Sequence, residues 1–472
     1  MGLGSFGGGV GLARYLAMQG ATVTVTDLQR AEALQASVAA LQPLPIRFVL
    51  GEHCERDFVD TDVVFVNPAV PLTSPYLHLA RAHQVPLDSE INLFVRQCRG
   101  RIIGITGSVG KSTTTSLLGS ILQLHDPRTL VGGNLGGSLL AHLPEITPDT
   151  PVVLELSSFQ LEHLDWQQYS PPLAVVVNLA PNHLDRHGTM QAYQWAKEVI
   201  LAYQTRAHTA ILNWDDPTVR AMAVRGQGQR LFYSVQEPLE PGIYRQGEVV
   251  MYVSAGQCTV LFHTSDVPLR GVHNIGNAAA AAAVATLMGI PTETIAQGLR
   301  HFQGLPHRLE LVATINGVQY VNDSKATTPL STMRALQAFE EPVVLLAGGY
   351  DKGTPFDELA QVIHQRAKAA VVYGATAPKL ALALAQTAHV APEKAAPHVL
   401  QLANLEAAVS QGAALTTPGD VVLLSPACAS YDQYPHYEAR GEHFRQLVRE
   451  LCEANTKHNR ERVTAYKGNA HE

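Results

Sequence analysis

The chain reads as an α/β protein of three domains with largely parallel sheets. Three observations predict this. Short apolar strands alternate with Ala/Leu-rich helical stretches, glycine-rich turns lead into two of the helical stretches, and 472 residues is the length of about three domains. With 46% hydrophobic and 16% charged residues, the chain can bury a large core. Five cysteines (Cys54, Cys98, Cys258, Cys428, Cys452) lack C-x-x-C spacing, so neither a disulfide framework nor a zinc site is indicated, and a reducing cytoplasm is the expected compartment. A net charge of -7 leaves no basic stripe for a nucleic-acid backbone. No apolar run approaches the ~20 residues of a membrane span.

The first block runs from Met1 to about Arg99. It has a glycine-rich turn GLGSFGGGVG, a helix through LARYLAMQG and a strand ATVTVTD ending at Asp27, the order of a dinucleotide-binding fold. The turn starts at Gly2, so the strand expected ahead of it is missing.

The second block, about Gly100 to Gly304, opens with the strand RIIGIT and the loop GSVGKST, Gly107 to Thr113. The usual phosphate loop, G-x-x-x-x-G-K-[ST], would place glycine where Ile105 stands. Backbone N–H groups of such a loop face anionic oxygens, and a side chain at Gly107 or Gly110 would obstruct them. Lys111 would neutralise outer phosphates and Ser112 would offer a hydroxyl to Mg²⁺. ATP binding is predicted over a glycine turn with a surface lysine. Glu155 ends the apolar strand of PVVLELSSFQLE, where a magnesium ligand belongs in such a domain; on its own it reads equally as a buried, hydrogen-bonded glutamate. His183, in NHLDRHG, reads on its own as a capping or packing histidine. The six alanines Ala278–Ala283 predict a tightly packed helix.

The shifted glycines of TGSVGKST resemble the T-G-[TS]-N-G-K-[ST] signature of the Mur ligases, ATP-dependent amide-forming enzymes of peptidoglycan precursor synthesis. The resemblance extends to about Leu451. It is carried also by GGNLG (Gly132 to Gly136), ELSSFQLE, NHLDRHG, GVHNIGNAAAA, GLPHRLE, NDSKAT, LLAGGYDKG and LLSPACASYDQYPHYEARGEHF. Val109 stands where the family has asparagine, and Asn182 where an acidic residue is common.

The resemblance implies a Rossmann-like UDP-substrate domain over 1–99, a central P-loop mononucleotide-binding ATPase domain over 100–304 and a Rossmann-like amino-acid-binding domain over 305–455. A polar, aperiodic stretch at 456–472 is expected to be a flexible tail. The implied activity is addition of D-glutamate to UDP-N-acetylmuramoyl-L-alanine (UDP-MurNAc-L-Ala) through an acyl phosphate, releasing ADP and phosphate, by a cytoplasmic monomer. ATP would be held by Gly107, Ser108, Val109, Gly110, Lys111, Ser112, Thr113, Asn274, Asn277, Arg308, Asp323 and Lys325. Lys111, Glu155, His183 and Lys197 would be catalytic. Ser112, Glu155, His183 and Lys197 would serve two Mg²⁺ ions, Lys197 as a carbamate. Ser5, Phe6, Asp27, Asn134 and Ser157 would bind the UDP substrate, and Thr327, Lys352, Ser430, Tyr431 and Tyr437 the amino acid.

Taken singly, several of these residues have plainer readings. Asn274 and Asn277 read as an N-cap and a polar surface residue, Arg308 as a salt-bridged arginine, and Lys197 as a helix-surface lysine facing away from Trp195 and Val199. Two other functions fit the same chain: a related ligase adding L-glutamate or another amino acid, and a non-catalytic nucleotide-sugar-binding protein. The loop spacing argues against a P-loop kinase or transport ATPase.

Overall fold

Val/Ile/Leu runs too short for helices become buried strands where helices cover both faces of a parallel sheet. The structure, a computed structural model, describes residues 1–4, 7–390 and 396–468; Ser5 and Phe6 lie outside the described residues. Contacts divide the chain into two bodies, Met1–Val267 with Ile275–Phe302, and Pro268–Asn274 with Gln303–Glu472.

The first body opens with α1 (Gly8–Met18), β1 (Val23–Asp27), α2 (Gln35–Ala39), β2 (Ile46–Leu50), β3 (Val64–Phe65), α3 (Pro75–Ala82), β4 (Leu87–Asp88) and α4 (Glu90–Gln97). β1 pairs with β2 and β3 with β4, both parallel. Met1 and Gly2 bond to both pairs. Gly2 N–H donates to Thr26 O at 2.8 Å, the Met1 amine to Phe65 O at 2.8 Å, and Asn67 N–H to Met1 O at 3.0 Å. These two residues lie between β1 and β3, the position in which a strand before the turn is expected.

The same body continues with β5 (Arg101–Thr106), α5 (Lys111–His125), β6 (Leu130–Gly133), β7 (Pro151–Glu155), α6 (Ser158–Trp166), β8 (Leu173–Val176), α7 (Leu184–His187), α8 (Met190–Ala202), β9 (Thr209–Asn213), α9 (Pro217–Ala221), β10 (Gln229–Ser234), β11 (Gly242–Gln246), β12 (Val249–Ser254) and β13 (Gln257–His263). The nine strands follow the order β13-β12-β11-β10-β9-β8-β5-β7-β6, parallel except at the β11–β12 and β12–β13 pairings. β5 lies between β7 and β8, so the strand order reverses beside it, and the crevice beyond the strands' C-terminal ends at such a point is where α/β folds bind ligands. α10 (Val272–Leu287) and α11 (Thr292–Arg300) follow. Ala278–Ala283 are fully buried, as a close-packed helix requires. α10 starts earlier than the alanine run suggests, so Asn274 and Asn277 sit inside its first turns and do not precede it.

The second body contains β14 (Glu310–Ile315), β15 (Val318–Asn322), α12 (Pro329–Gln337), β16 (Val343–Gly348), α13 (Asp357–Arg366), β17 (Ala367–Tyr373), α14 (Ala377–Val390), β18 (His398–Leu402), α15 (Leu405–Ala414), β19 (Val421–Leu424) and α16 (Tyr437–Gly468). Its six strands run β14-β15-β19-β16-β17-β18, with only β14 antiparallel to its neighbour. The backbone of α16 is helical to Gly468, where the sequence suggested an aperiodic tail. Its Glu, Ala, Lys and Arg residues are good helix formers even without an apolar stripe. No helix among the described residues is long and apolar enough to cross a membrane.

Candidate active site

The buried run Ile102–Ile105 carries Thr106 to the C-terminal end of β5, and the chain turns through Gly107 (φ 152°) and Gly110 (φ 95°) into α5. A Cβ on Gly110 would stand 2.6 Å from Asn277 Oδ1 in a left-handed conformation, so both space and backbone require glycine. Asn178 grips the loop from β8. Its Oδ1 accepts from Val109 N–H at 2.9 Å, its Nδ2 donates to Val109 O, and its carbonyl accepts from Ser108 N–H at 3.0 Å. Val109 is therefore held through its backbone, and the departure from asparagine leaves these bonds in place. Ser108 Oγ pairs with Tyr193 OH at 3.0 Å and donates to Ala180 O at 2.9 Å. Lys111 Nζ donates to Gly107 O and Ser108 O at 2.8 and 3.0 Å, so a cation lies against the loop. Ser112 and Thr113 occupy the first turn of α5, whose N-terminus favours anions. Asn277 accepts from Thr114 Oγ1 at 3.3 Å beside Gly110, and Asn274 Nδ2 donates to Arg270 O at 2.8 Å.

α8 overturns the surface reading of Lys197. Trp195 is 67% exposed and Lys197 only 1%. Lys197 Nζ donates to Thr106 Oγ1 at 3.1 Å and lies 5.0 Å from the centre of the Tyr193 ring. Burial, then the Lys111 charge, push its pKa well below the ordinary lysine range; Glu155 acts in the opposite direction. The geometry thus favours a neutral amine near the phosphate loop.

Glu155 is buried at the end of β7. Its Oε1 accepts from Asn134 Nδ2 at 2.7 Å, and Asn134 N–H donates to Glu155 O at 2.8 Å, so the expected metal ligand and the expected sugar contact form one unit. Ser157 caps α6 in a capping box with Gln160. His183 (φ 53°) occupies the N-cap position of α7 without a side-chain cap bond, and its ring stands edge-on to Phe159 at 5.1 Å. Among the described residues no group of three or more His, Cys, Asp or Glu could hold a metal ion. The oxygen donors Ser112 and Glu155 nevertheless suit Mg²⁺, which keeps positions for phosphate and water.

In the N-terminal domain, the Asp27 carboxylate accepts from Leu3, Gly4 and Gln29 N–H groups at 2.8, 3.2 and 2.9 Å, so it shapes the glycine turn. Beyond it an open cleft of about 360 Å³ is lined by Arg30, Ala31, Glu32, Leu50, Gly51 and Glu52. Sequence reading passed over these residues; their signal is position, just past the ends of β1 and β2.

In the second body, the Asp323 carboxylate accepts from Ser425 Oγ at 2.8 Å and Leu309 N–H at 3.2 Å, and burial raises its pKa to about 7. Arg308 is charged nearby and opposes that shift. Lys325 Nζ lies 5.4 Å from the Tyr437 ring centre, and Thr327 N–H donates to Lys325 O at 2.9 Å. Tyr350 N–H donates to Ala429 O at 2.9 Å and its ring meets Tyr431 at 6.0 Å, bringing the exposed Lys352 loop beside buried Ser430. Arg440, in the EARGEHF stretch, was not singled out. It is fully buried, donating to Ser324 Oγ and O at 3.0 and 2.8 Å and to Cys428 O and Ala429 O at 3.1 and 3.3 Å. It thereby ties the Asp323–Lys325 loop to the Ser430 loop.

Residues 1–88 match the family "Mur ligase MurD-like, N-terminal domain", 105–285 "Mur ligase middle domain" and 307–428 "Mur ligase, glutamate ligase domain". A protein of Roseiflexus sp. (strain RS-1) named UDP-N-acetylmuramoylalanine--D-glutamate ligase is 46% identical over 457 residues, 95% of this chain and 97% of its own. One of the same name from Symbiobacterium thermophilum is 39% identical over 93% of this chain and 95% of its own. The solved UDP-N-acetylmuramate-alanine ligase of Thermotoga maritima shares the fold at TM-score 0.60 and 18% identity, covering 95% of this chain and 98% of that one. A phosphate loop with displaced glycines, a buried lysine and glutamate beside it, and this agreement across nearly the full length lead to one conclusion: the chain belongs to the Mur ligase family, ATP-dependent enzymes that form amide bonds.

Proposed function

We propose that the protein joins D-glutamate to UDP-MurNAc-L-Ala in peptidoglycan precursor synthesis, splitting ATP to ADP and phosphate. The observation that carries the ligase chemistry is the grouping of Lys111, Glu155 and Lys197 around the end of β5; the names of the relatives support the choice of substrates. A substrate carboxylate oxygen attacks the γ-phosphorus and ADP leaves. The D-glutamate nitrogen then attacks the acyl carbon, phosphate departs and the nitrogen loses a proton. Lys111 balances phosphate charge, and Asn134, fixed to Glu155, orients the sugar side. Ser112 and Glu155, with His183, would hold two Mg²⁺ ions. When bound, these offset the repulsion between the carboxylate and the γ-phosphate. Lys197, as a carbamate, would turn a buried amine into an anion able to support the second ion. Thr327, Lys352 and Ser430 supply donors for the glutamate side-chain carboxylate. Adenine is assigned to Asn274 and Asn277, and further nucleotide and phosphate contacts to Arg308, Asp323 and Lys325. The domain boundaries near residues 99 and 304 divide UDP-substrate, ATP and amino-acid binding. Soluble substrates and ATP place the reaction in the cytoplasm.

The test is phosphate release with UDP-MurNAc-L-Ala, D-glutamate and ATP, each omitted in turn, with ¹⁸O in the substrate carboxylate. The label is expected in released phosphate. AMP and pyrophosphate as products would refute the scheme, and preference for another amino acid in a panel would reassign the substrate.

A further inference from the structure

Arg186 stands in the His183 loop yet spends its guanidinium on the N-terminal domain. Nη1 donates to Ala69 O at 2.9 Å, and Nη2 to Val70 O at 2.6 Å and Pro68 O at 3.4 Å. Three successive carbonyls thus converge on one planar cation, a geometry that a lysine ammonium cannot reproduce. The 68–70 segment is itself part of the glycine-turn structure. Asn67 N–H donates to Met1 O at 3.0 Å, and a Cβ on Gly2 would stand 2.9 Å from both Asn67 Cβ and Val70 Cγ2.

On its other side the same guanidinium lies 5.1 Å from the centre of the Phe159 ring. Phe159 stacks on His187 at 5.3 Å and meets His183 edge-on at 5.1 Å. His187 is fixed in turn by Ser158 Oγ, 2.9 Å from its Nε2. Phe159 and Ser158 open α6, directly after Glu155–Ser157. A continuous contact path therefore runs from the glycine turn through Val70, Arg186 and Phe159 to His183.

We propose that Arg186 is a positioning residue that couples occupancy of the N-terminal nucleotide site to the placement of His183, so that the substrate's two ends are registered against each other. This rests on the functional reading above. The substrate is bound at one end by the N-terminal domain and reacts at the other beside the phosphate loop, and Arg186 fixes the distance between those sites.

The experiment compares wild type, Arg186→Met, Arg186→Lys and Phe159→Leu in steady-state ligation, alongside calorimetric binding of UDP alone and thermal melting. Loss of the charge-assisted bonds in Arg186→Met should lower kcat/KM for UDP-MurNAc-L-Ala by about tenfold or more, while KM for ATP and the affinity for UDP stay within about twofold. Arg186→Lys, which keeps the charge without the fork, should recover only part of the loss. Phe159→Leu keeps the guanidinium–carbonyl bonds and should lower kcat with little change in UDP affinity. Three results would overturn the coupling: unchanged kcat/KM in both Arg186→Met and Phe159→Leu; UDP affinity falling in parallel with kcat/KM, which marks simple loop support; or full recovery by lysine. A wild-type protein that releases no phosphate sinks the functional reading, and the coupling with it. An active wild type with indifferent variants sinks the coupling alone.

Discussion

Lys197 combines an ionisable amine with nearly complete burial, and the cost of desolvating the cation sets its chemistry. A neutral amine can react with CO₂, and the proposed carbamate would stand as an anion near the Lys111 cation that lowers the amine's pKa. Lys197→Ala is expected to lose turnover by about a hundredfold or more while still binding UDP-MurNAc-L-Ala, a short carboxylate restoring part of the rate. Full activity in that variant, or indifference to degassing and bicarbonate, would remove the carbamate. Asp323 presents the opposite case. Its pKa rises from 3.8 to about 7, so between those values the folded state holds a proton that the unfolded chain has released. Its contribution to stability is fully present below the lower value and is lost as pH rises through about 7. Chemical unfolding from pH 4 to 8 should therefore lose stability with rising pH, by up to about tenfold in the folding constant per unit, and Asp323→Asn should flatten that slope.

α5 must lie close to both its sheet and α11, because the phosphate loop is positioned by its first turn. Gly298 of α11 makes this approach possible, since a Cβ there would stand 2.6 Å from Ile121 Cα and 3.0 Å from Ile121 N. The obstruction is backbone, which cannot rotate away. Gly298→Ala should cost about 1 to 3 kcal/mol and lower the melting temperature by several degrees, with larger side chains worse. An unchanged melting curve would mean that the two helices separate freely. α8 makes a related point about helices: hydrophobic periodicity assigns Trp195 inward and Lys197 outward, but the buried face carries Tyr193, Ala196, Lys197 and Ile200. Lys197 finds a buried partner in Thr106 Oγ1 at the end of β5, so the periodic rule fails there.

The phosphate loop lies in the first body and Lys352, proposed to hold the glutamate side chain, in the second, so the proposed roles divide between them. Lys352→Ala should accordingly raise the D-glutamate KM or lower turnover by about ten- to a hundredfold, the equivalent of about 1.5 to 3 kcal/mol, while ATP binding holds. Equal losses for ATP and glutamate would argue against this division.

The phosphate loop was legible in one dimension because its chemistry is local. Backbone N–H groups, two glycines, a lysine and a helix start all fall within seven residues, and apolar strand runs alternating with helical stretches announce the α/β class in the same way. Asp27 and Glu155 were legible as strand-end acids. The hydrogen bonds that Asp27 and Ser157 make within the chain were not, because an acid or a serine at such a position can shape a turn, cap a helix or meet a ligand with the same sequence pattern. The burial of Lys197, the staple made by Arg440, the cleft at Arg30–Glu52 and the reach of Arg186 to residues 68–70 all depend on contacts between segments far apart in the chain. Solvent exclusion and long-range hydrogen bonding arise only when those segments pack, so the tertiary structure alone could decide them.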